Sequence, residues 1–230
     1  MMYEWFLFSL LWLTVWIVVY AAKASLRREM LWVSAFASLG GLTEPMFIPA
    51  YWNPPSLFGL TQTTHFDIES FVFSFATGGI AAILYEAVIN LRHRKMNAEE
   101  ARGLDRRWLH LPSMLSTPVI LAALFVFTNL NPIYSAIIAF FAGSVAAVVC
   151  RPDLAKNTFV GGLLFTGLYF SFFMLVVSVS PSFLNAWNLP ALSGVMVVRV
   201  PGEELVFAFG FGMLYSGIYN KPLKQWESVQ

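Results

Sequence analysis

Charged residues are scarce in this chain of 230 residues. They make up 12% of it, whereas soluble domains contain about 25%. Hydrophobic residues make up 58%, so the composition excludes an ordinary soluble domain and predicts an integral membrane protein with short loops. There is one cysteine, Cys150, which excludes an intrachain disulfide.

Sequence motifs for soluble cofactors and for metals are also missing. No glycine-rich nucleotide-binding loop follows a strand, and the three histidines are scattered along the chain. We therefore expect no cofactor, no metal site and no nucleic-acid partner. The basic segment at 92–110 is interpreted as a solvated linker and orientation anchor.

Apolar stretches long enough to cross a bilayer, which takes about 20 helical residues, dominate the remaining sequence. Lys and Arg occur in every second connection between them. The positive-inside bias then predicts an all-α, multi-pass protein of the cell membrane, with its N-terminus outside and its C-terminus in the cytoplasm. The first stretch, which no positive charge precedes, is expected to be a retained helix rather than a cleaved signal peptide. The seven predicted spans are 5–22, 30–50, 68–91, 114–130, 132–150, 157–180 and 199–219.

Two segments of the chain are repeated. The stretch WNPPSLFG at 52–59 recurs as WNLPALSG at 187–194, and DIESFVFSF at 67–75 recurs as PGEELVFAF at 201–209. In each copy these segments lead into the third helix of a three-helix unit. The pattern predicts two parallel three-helix repeats, joined by a linker helix and related by an axis along the membrane normal. The predicted units are a first repeat at 1–91, a basic linker with the linker helix at 92–130, and a second repeat at 131–230.

Carboxyl groups near the starts of the repeated helices are the candidates for chemistry. Glu69 and Glu203 occupy the same place in the two copies, and Glu204 follows the second. Acids in a first turn are favoured by the helix dipole, so simple capping is the alternative explanation. Ionisable groups are expensive in a membrane, however, and their repetition favours a functional pair. Glu44 lies beside Pro45 inside the second span, where we expect a kink and a side chain that faces the interior.

Trp, Asn and Phe side chains of the repeated segments are candidate substrate contacts. The tryptophans also suit an aromatic belt at the membrane interface, and the asparagines suit turn capping. Aromatic faces that point inward could stabilise a cation. The candidate substrate-binding residues are Trp52, Asn53, Trp187, Asn188, Phe73, Phe207 and Glu44.

The segment Pro201-Gly202-Glu203-Glu204 resembles the Pro-x-Glu-(Glu/Asp) motif of the lycopene β-cyclase family of some bacteria, archaea and fungi. In that family the motif precedes an aromatic-rich helix, and here Phe207 follows the motif closely. The family uses two three-helix units that work together, either as separate chains or fused into one. The resemblance implies a membrane carotenoid or isoprenoid cyclase, an intramolecular lyase or isomerase that acts on a lipophilic polyene without redox change.

The resemblance also implies roles for the acids. Glu203 would protonate the terminal alkene, and Glu204 or Glu69 would tune it or act as the base. A neutral carboxylic acid is needed for this step, and burial favours that form. The first copy departs from the motif, because its segment Asp67-Ile68-Glu69-Ser70 lacks the proline and the second acid.

Other functions stay open from the residues. A carotenoid hydratase, or another membrane terpene cyclase such as the fungal meroterpenoid enzymes, would use similar acids. A small carrier would need a polar path, which the uncharged fifth and sixth spans disfavour. A non-catalytic scaffold would use the acids only as caps. The lipid bilayer is an expected partner, and a homo-oligomer is left open.

Overall fold

The computed structural model describes residues 3–89, 92–95, 107–216 and 226–229, and most of them are helical. The helices are α1 (Glu4–Ala22), α2 (Arg27–Ala37), α3 (Glu44–Phe47), α4 (Leu60–Thr64), α5 (Ile68–Ile89), α6 (Arg107–Phe127), α7 (Pro132–Cys150), α8 (Ala155–Val179) and α9 (Gly202–Tyr215). Short antiparallel pairs join β1 (Arg92–Lys95) to β4 (Trp226–Val229), and β2 (Met196–Val197) to β3 (Val200–Pro201). Short 3-10 segments connect several helices, at Ala24–Leu26, Ser38–Thr43, Leu57–Gly59, Pro152–Leu154, Pro181–Ala186 and Leu189–Ala191.

Four of the described helical segments are long and apolar enough to cross a membrane. They correspond to the first, third, fifth and sixth predicted spans. The apolar part of α6 is shorter, at Leu115–Phe127. Helix α9 has 14 residues, and residues 217–219 of the seventh predicted span lie outside the described part. The arrangement of seven spans in two repeats therefore stays a prediction, and so does the orientation of the chain in the membrane. The four segments are Glu4–Ala22, Ile68–Ile89, Pro132–Cys150 and Pro152–Val179.

The second predicted span, 30–50, is not one continuous helix. Helix α2 ends at Ala37, a 3-10 segment follows over Ser38–Thr43, and α3 adds one turn. Gly40 and Gly41 lie in the 3-10 segment and Pro45 lies in α3, which are the residues expected to loosen a helix here. The break places Glu44 at the first residue of α3.

Most of the predicted basic linker falls at 96–106, outside the described residues, as do the basic residues Lys221 and Lys224. The outer limits of the two predicted repeats, at residues 1, 91 and 230, also lie outside them. The division of the chain into these units stays a prediction.

Helices α5 and α9 hold equivalent places in the packing of the two halves. Helix α5 packs against α1 and α2, whereas α9 packs against α7 and α8. Close approach depends on glycine in both, because a methyl group at Gly78 would collide with Ala37 and one at Gly212 would collide with Phe165. The halves meet where α5 contacts α8 and α9, while α6 packs mainly on α7.

The repeated Trp-Asn loops also meet each other. Trp52 and Trp187 form an antiparallel β-bridge. The Asn53 N–H donates to the Ala186 carbonyl at 2.7 Å, and the Asn188 N–H donates to the Tyr51 carbonyl at 2.8 Å. The loop before α5 is thereby joined to the loop before α9, at the same end of the helices as Glu44 and Glu204.

Candidate functional site

Glu204 is held in the interior by three hydrogen-bond donors. It lies in the first turn of α9 and is 4% exposed. Its Oε1 accepts from the Tyr51 hydroxyl and from Trp187 Nε1, the latter at 2.8 Å. Its Oε2 accepts from the Tyr169 hydroxyl at 3.0 Å. Burial disfavours a carboxylate anion at this place, and the donors on both oxygens offset part of that cost.

Both halves supply these donors. Trp187 and Tyr169 belong to the second half, whereas Tyr51 belongs to the first. The backbone of Tyr51 is held by the hydrogen bond from the Asn188 N–H to its carbonyl. Burial raises the pKa of Tyr51 well above its usual value, and the charge on Glu204 raises that pKa further. The Tyr51 hydroxyl therefore keeps its proton at neutral pH and remains a donor.

A cavity of about 220 Å³ lies between the halves, and Glu204 and Glu44 both line it. Pockets that enclose whole drug-sized ligands measure roughly 300–1,000 Å³. The cavity is therefore smaller than a pocket that encloses a whole ligand of that size. Aromatic rings form much of its wall, among them Trp5, Trp52, Phe73, Tyr169, Phe173, Phe207 and Phe211.

Glu44 is in a different environment from Glu204. It is 7% exposed, and its Oε1 is buried without a hydrogen-bond partner among the described residues. The side chains of Ser70 and Trp52 lie beside the carboxyl group, as do the acids Asp67 and Glu69. A buried charge with an unpaired oxygen and acidic neighbours is costly, so this site favours the neutral carboxylic acid.

The rings of the cavity wall pack against one another in groups. Phe73 lies 4.9 Å from Trp5 and 6.2 Å from Tyr169, measured between ring centroids. On the other side Phe207 stacks on Phe211 at 6.0 Å, and Phe211 stacks on Tyr215 at 4.1 Å. Among the described residues that line the cavity there is no Lys or Arg. Ring faces and Glu204 are thus the groups available to stabilise a positive charge.

The two repeated glutamates make one and the same contact. Glu69 Oε1 accepts from the Leu57 N–H at 2.6 Å, and Glu203 Oε1 accepts from the Ser193 N–H at 2.7 Å. Glu203 also accepts from the Tyr134 hydroxyl at 2.8 Å. Both side chains are buried, and neither is among the described residues that line the cavity. Of the three acids predicted to be catalytic, Glu204 alone reaches the cavity wall.

The candidate substrate contacts divide into two groups. Trp52, Phe73 and Phe207 line the cavity with Glu44, and Trp187 contacts Glu204. The asparagine side chains serve the loops instead. Asn188 Nδ2 donates to the Ala50 carbonyl at 3.2 Å, and Asn53 Oδ1 accepts from Gln62 Nε2 at 3.4 Å.

Sequence reasoning missed Tyr51 and Tyr169. Tyr51 directly precedes the first Trp-Asn segment, and Ala186 holds the same place in the second copy. This difference between the copies is the signal that would have pointed to Tyr51. Tyr169 places a hydroxyl in the middle of an apolar span, where a polar group needs a partner.

Residues 131–221 match the family model described as lycopene cyclase. The match lies in the C-terminal part of the chain and supports assignment to the lycopene cyclase family. The resemblance drawn from the Pro-x-Glu-Glu segment is thereby confirmed. The lycopene cyclase match covers α7, α8 and α9, and so includes Tyr169, Trp187 and Glu204. Neither a curated protein nor a solved structure matches this chain.

The lycopene cyclase match supports a carotenoid cyclase-like function, and the family suggests an enzyme and implies a lipophilic carotenoid substrate. Together with the four apolar segments, it identifies a membrane protein. The acids, the donors and the aromatic wall are the features from which a reaction can be derived.

Proposed function

We propose that this protein cyclises an end group of lycopene or a related polyene by an acid-initiated isomerisation. The single observation that carries the proposal is Glu204, held by Tyr51, Tyr169 and Trp187 on the wall of an aromatic cavity. The lycopene cyclase match covers three of these four residues.

The first step is protonation of the terminal alkene. Glu44 is the proposed donor, because its contacts favour the neutral acid and it lines the cavity. Its proton forms a new C–H bond at the alkene, and a tertiary cation is left on the adjacent carbon. An alkene is a weak base, so this step depends on stabilisation of the developing cation by its surroundings.

Ring closure and proton loss complete the reaction. The next double bond attacks the cation, which forms the ring carbon–carbon bond and moves the charge to a ring carbon. Glu204, proposed to be the carboxylate, stabilises that charge and then accepts a ring proton, leaving a double bond. Return of this proton to Glu44 resets the pair, and substrate and product are isomers with no electron gained or lost.

The substrate is proposed to enter one end at a time. The cavity holds an end group, so the remaining polyene must extend from it. With the N-terminus outside, as the basic residues predict, Glu44 and Glu204 lie near the outer face of the membrane. The hydrophobic chain of the substrate would then extend toward the hydrocarbon.

Hydration is the second candidate function. Ser70, Ser74 and Thr77 of α5 are among the residues that line the cavity. A water held there would capture the cation as a tertiary alcohol, and Glu204 would accept the proton that the water loses. Cyclisation and hydration differ in whether an alkene or a water reaches the cation first.

Pigment analysis in cells that accumulate lycopene tests both candidates. We expect wild-type protein to convert lycopene into a product of the same mass with one or two rings. A product heavier by one water would identify the hydratase. Unchanged pigment with normal accumulation of the protein in membranes would overturn both, and uptake of labelled solutes into proteoliposomes would then test a carrier.

A variant with an exposed change provides the matched control. Ser171 lies exposed on α8, and its hydroxyl donates to the Gly167 carbonyl of the same helix at 2.8 Å. We expect Ser171→Ala to cyclise lycopene like wild type while Glu44→Gln does not. Equal activity of Glu44→Gln and wild type would contradict the proposed proton donor.

A further inference from the structure

The repeated glutamates hold backbone rather than substrate. In both copies Oε1 of the glutamate accepts the N–H of a residue in the preceding loop, Leu57 for Glu69 and Ser193 for Glu203. In both copies Oε2 is buried without a hydrogen-bond partner among the described residues. Two separate parts of the chain thus repeat one side-chain geometry.

The loops that these glutamates hold also carry the donors to Glu204. The first loop begins at Tyr51, whose hydroxyl donates to Glu204 Oε1, and the second begins at Trp187, whose Nε1 donates to the same oxygen. The bridge between Trp52 and Trp187 joins the two loops. A displacement of either loop therefore moves a donor relative to Glu204.

We infer that Glu69 and Glu203 are positioning residues, which act through the loops to place Tyr51 and Trp187 on Glu204. This inference rests on the proposed function of Glu204. It differs from the roles that the family motif implies, in which Glu203 is the acid and Glu69 tunes it or acts as the base.

The chemistry of the contact predicts how each glutamate tolerates substitution. Glutamine retains an Oε1 that can accept the same N–H, and its amide nitrogen replaces an oxygen that has no partner. Alanine removes the acceptor of the Leu57 or the Ser193 N–H, and the loop loses this contact. A positioning residue should therefore tolerate glutamine and not alanine, whereas a proton donor or base should tolerate neither.

Activity of a matched series tests the inference. We expect Glu69→Gln and Glu203→Gln to retain at least about one third of wild-type turnover, and the two alanine variants to lose roughly tenfold or more in kcat. Glu204→Gln, in the same expression host, should lose far more than either Gln variant. A loss in Glu203→Gln as large as that in Glu204→Gln would overturn the inference for Glu203.

A second measurement does not depend on turnover. Hydrogen exchange of purified full-length protein, read by mass spectrometry on peptides that contain Leu57 or Ser193, reports on the two N–H groups directly. We expect exchange to accelerate in the matching alanine variant and to stay near wild type in the glutamine variant. Unchanged exchange in both alanine variants would overturn the inference.

The two measurements distinguish failure of this inference from failure of the proposed function. If wild type cyclises no polyene, the proposed function fails, yet the exchange pattern still shows whether the glutamates hold the loops. If wild type is active and the exchange pattern is absent, the positioning role alone fails. Variants that do not accumulate in membranes are replaced by Glu69→Asp and Glu203→Asp, whose shorter side chains should weaken the contact and speed exchange.

Discussion

Helices α5 and α9 line the same cavity from equivalent positions of the two repeated segments, but with different chemistry. At an offset of 134 positions along the chain, Ser70 corresponds to Glu204 and Thr77 corresponds to Phe211. Helix α5 thus presents three hydroxyl groups and one aromatic ring, whereas α9 presents an acid and three aromatic rings. The wall residues of α5 are Ser70, Phe73, Ser74 and Thr77, and those of α9 are Glu204, Phe207, Phe211 and Tyr215.

Other equivalent positions are alike in structure. Glu69 and Glu203 hold their loops in the same way, and Gly78 and Gly212 both allow close helix packing. This difference indicates that the residues shared by the two copies serve the fold. The candidate chemistry lies where the copies have diverged.

The largest contrast is expected between Glu204 and its counterpart Ser70. Glu204→Gln removes a charge from the cavity wall, and we expect cyclisation to fall by roughly 10³-fold, as for loss of a charge-stabilising or acid–base group. Ser70→Ala should cost less than about fivefold, because one hydroxyl contact is worth about 1 kcal/mol. Initial rates of lycopene conversion in isolated membranes, normalised to protein content, measure both.

A double variant tests whether the two positions can exchange roles. In Ser70→Glu with Glu204→Ser, the new acid lacks the donors Tyr51, Tyr169 and Trp187, so we expect no recovery of activity. Recovery of a tenth or more of wild-type activity would contradict this expectation, because it would show that an acid on α5 can replace the acid on α9.

The tryptophans of the two loops provide the next contrast. Trp187→Phe keeps the ring but removes a donor to Glu204, and we expect a loss of roughly 10- to 100-fold in kcat, since hydrogen bonds to charged groups are worth about 1.5–3 kcal/mol. Trp52→Phe loses part of a ring face at the cavity and should lower activity by roughly two- to fivefold. Equal losses would show that both rings act only by packing.

The glycines are expected to behave alike. Gly78→Ala and Gly212→Ala each insert a methyl group against a neighbouring helix, and each should lower stability by about 1–3 kcal/mol. Thermal unfolding of the two variants in detergent, beside Ser171→Ala, checks this. A large loss in only one variant would show that the copies do not share their packing.

The smallest effects are expected from the asparagines. Asn188→Ala removes a 3.2 Å hydrogen bond to the Ala50 carbonyl, and Asn53→Ala removes a longer one, of 3.4 Å, to Gln62. We expect losses of stability below about 1 kcal/mol, with the larger loss for Asn188. Unfolding of both variants and of wild type in denaturant measures the two losses of stability. A larger loss for Asn53→Ala than for Asn188→Ala would contradict the prediction.

Local sequence signals predicted much of the helical framework. The bounds of α1, α5, α7 and α8 lie within a few residues of the predicted spans, because long apolar runs and prolines define helix limits over short distances. The break before Glu44 also follows from neighbouring residues, Gly40, Gly41 and Pro45. The number of spans and the repeat arrangement go beyond what the described helices establish.

The site was harder to predict, for a physical reason. Tyr51 and Glu204 are 153 positions apart, and Tyr169 and Glu204 are 35 apart, so their contacts depend on how the helices pack. Repetition drew attention to Glu203, but the neighbouring acid reaches the cavity because successive residues of a helix point in different directions. Glu44, Trp52, Phe73 and Phe207, which were predicted from the sequence as substrate contacts, do line the cavity, and their role in binding stays a prediction.

The bridge between the Trp-Asn loops has a reciprocal geometry. Asn53 donates to the residue before Trp187, and Asn188 donates to the residue before Trp52. Two identical segments could form the same pairing about a two-fold axis, as in an isologous dimer interface. Here the reciprocal pairing that such an interface makes between two subunits is made within one chain.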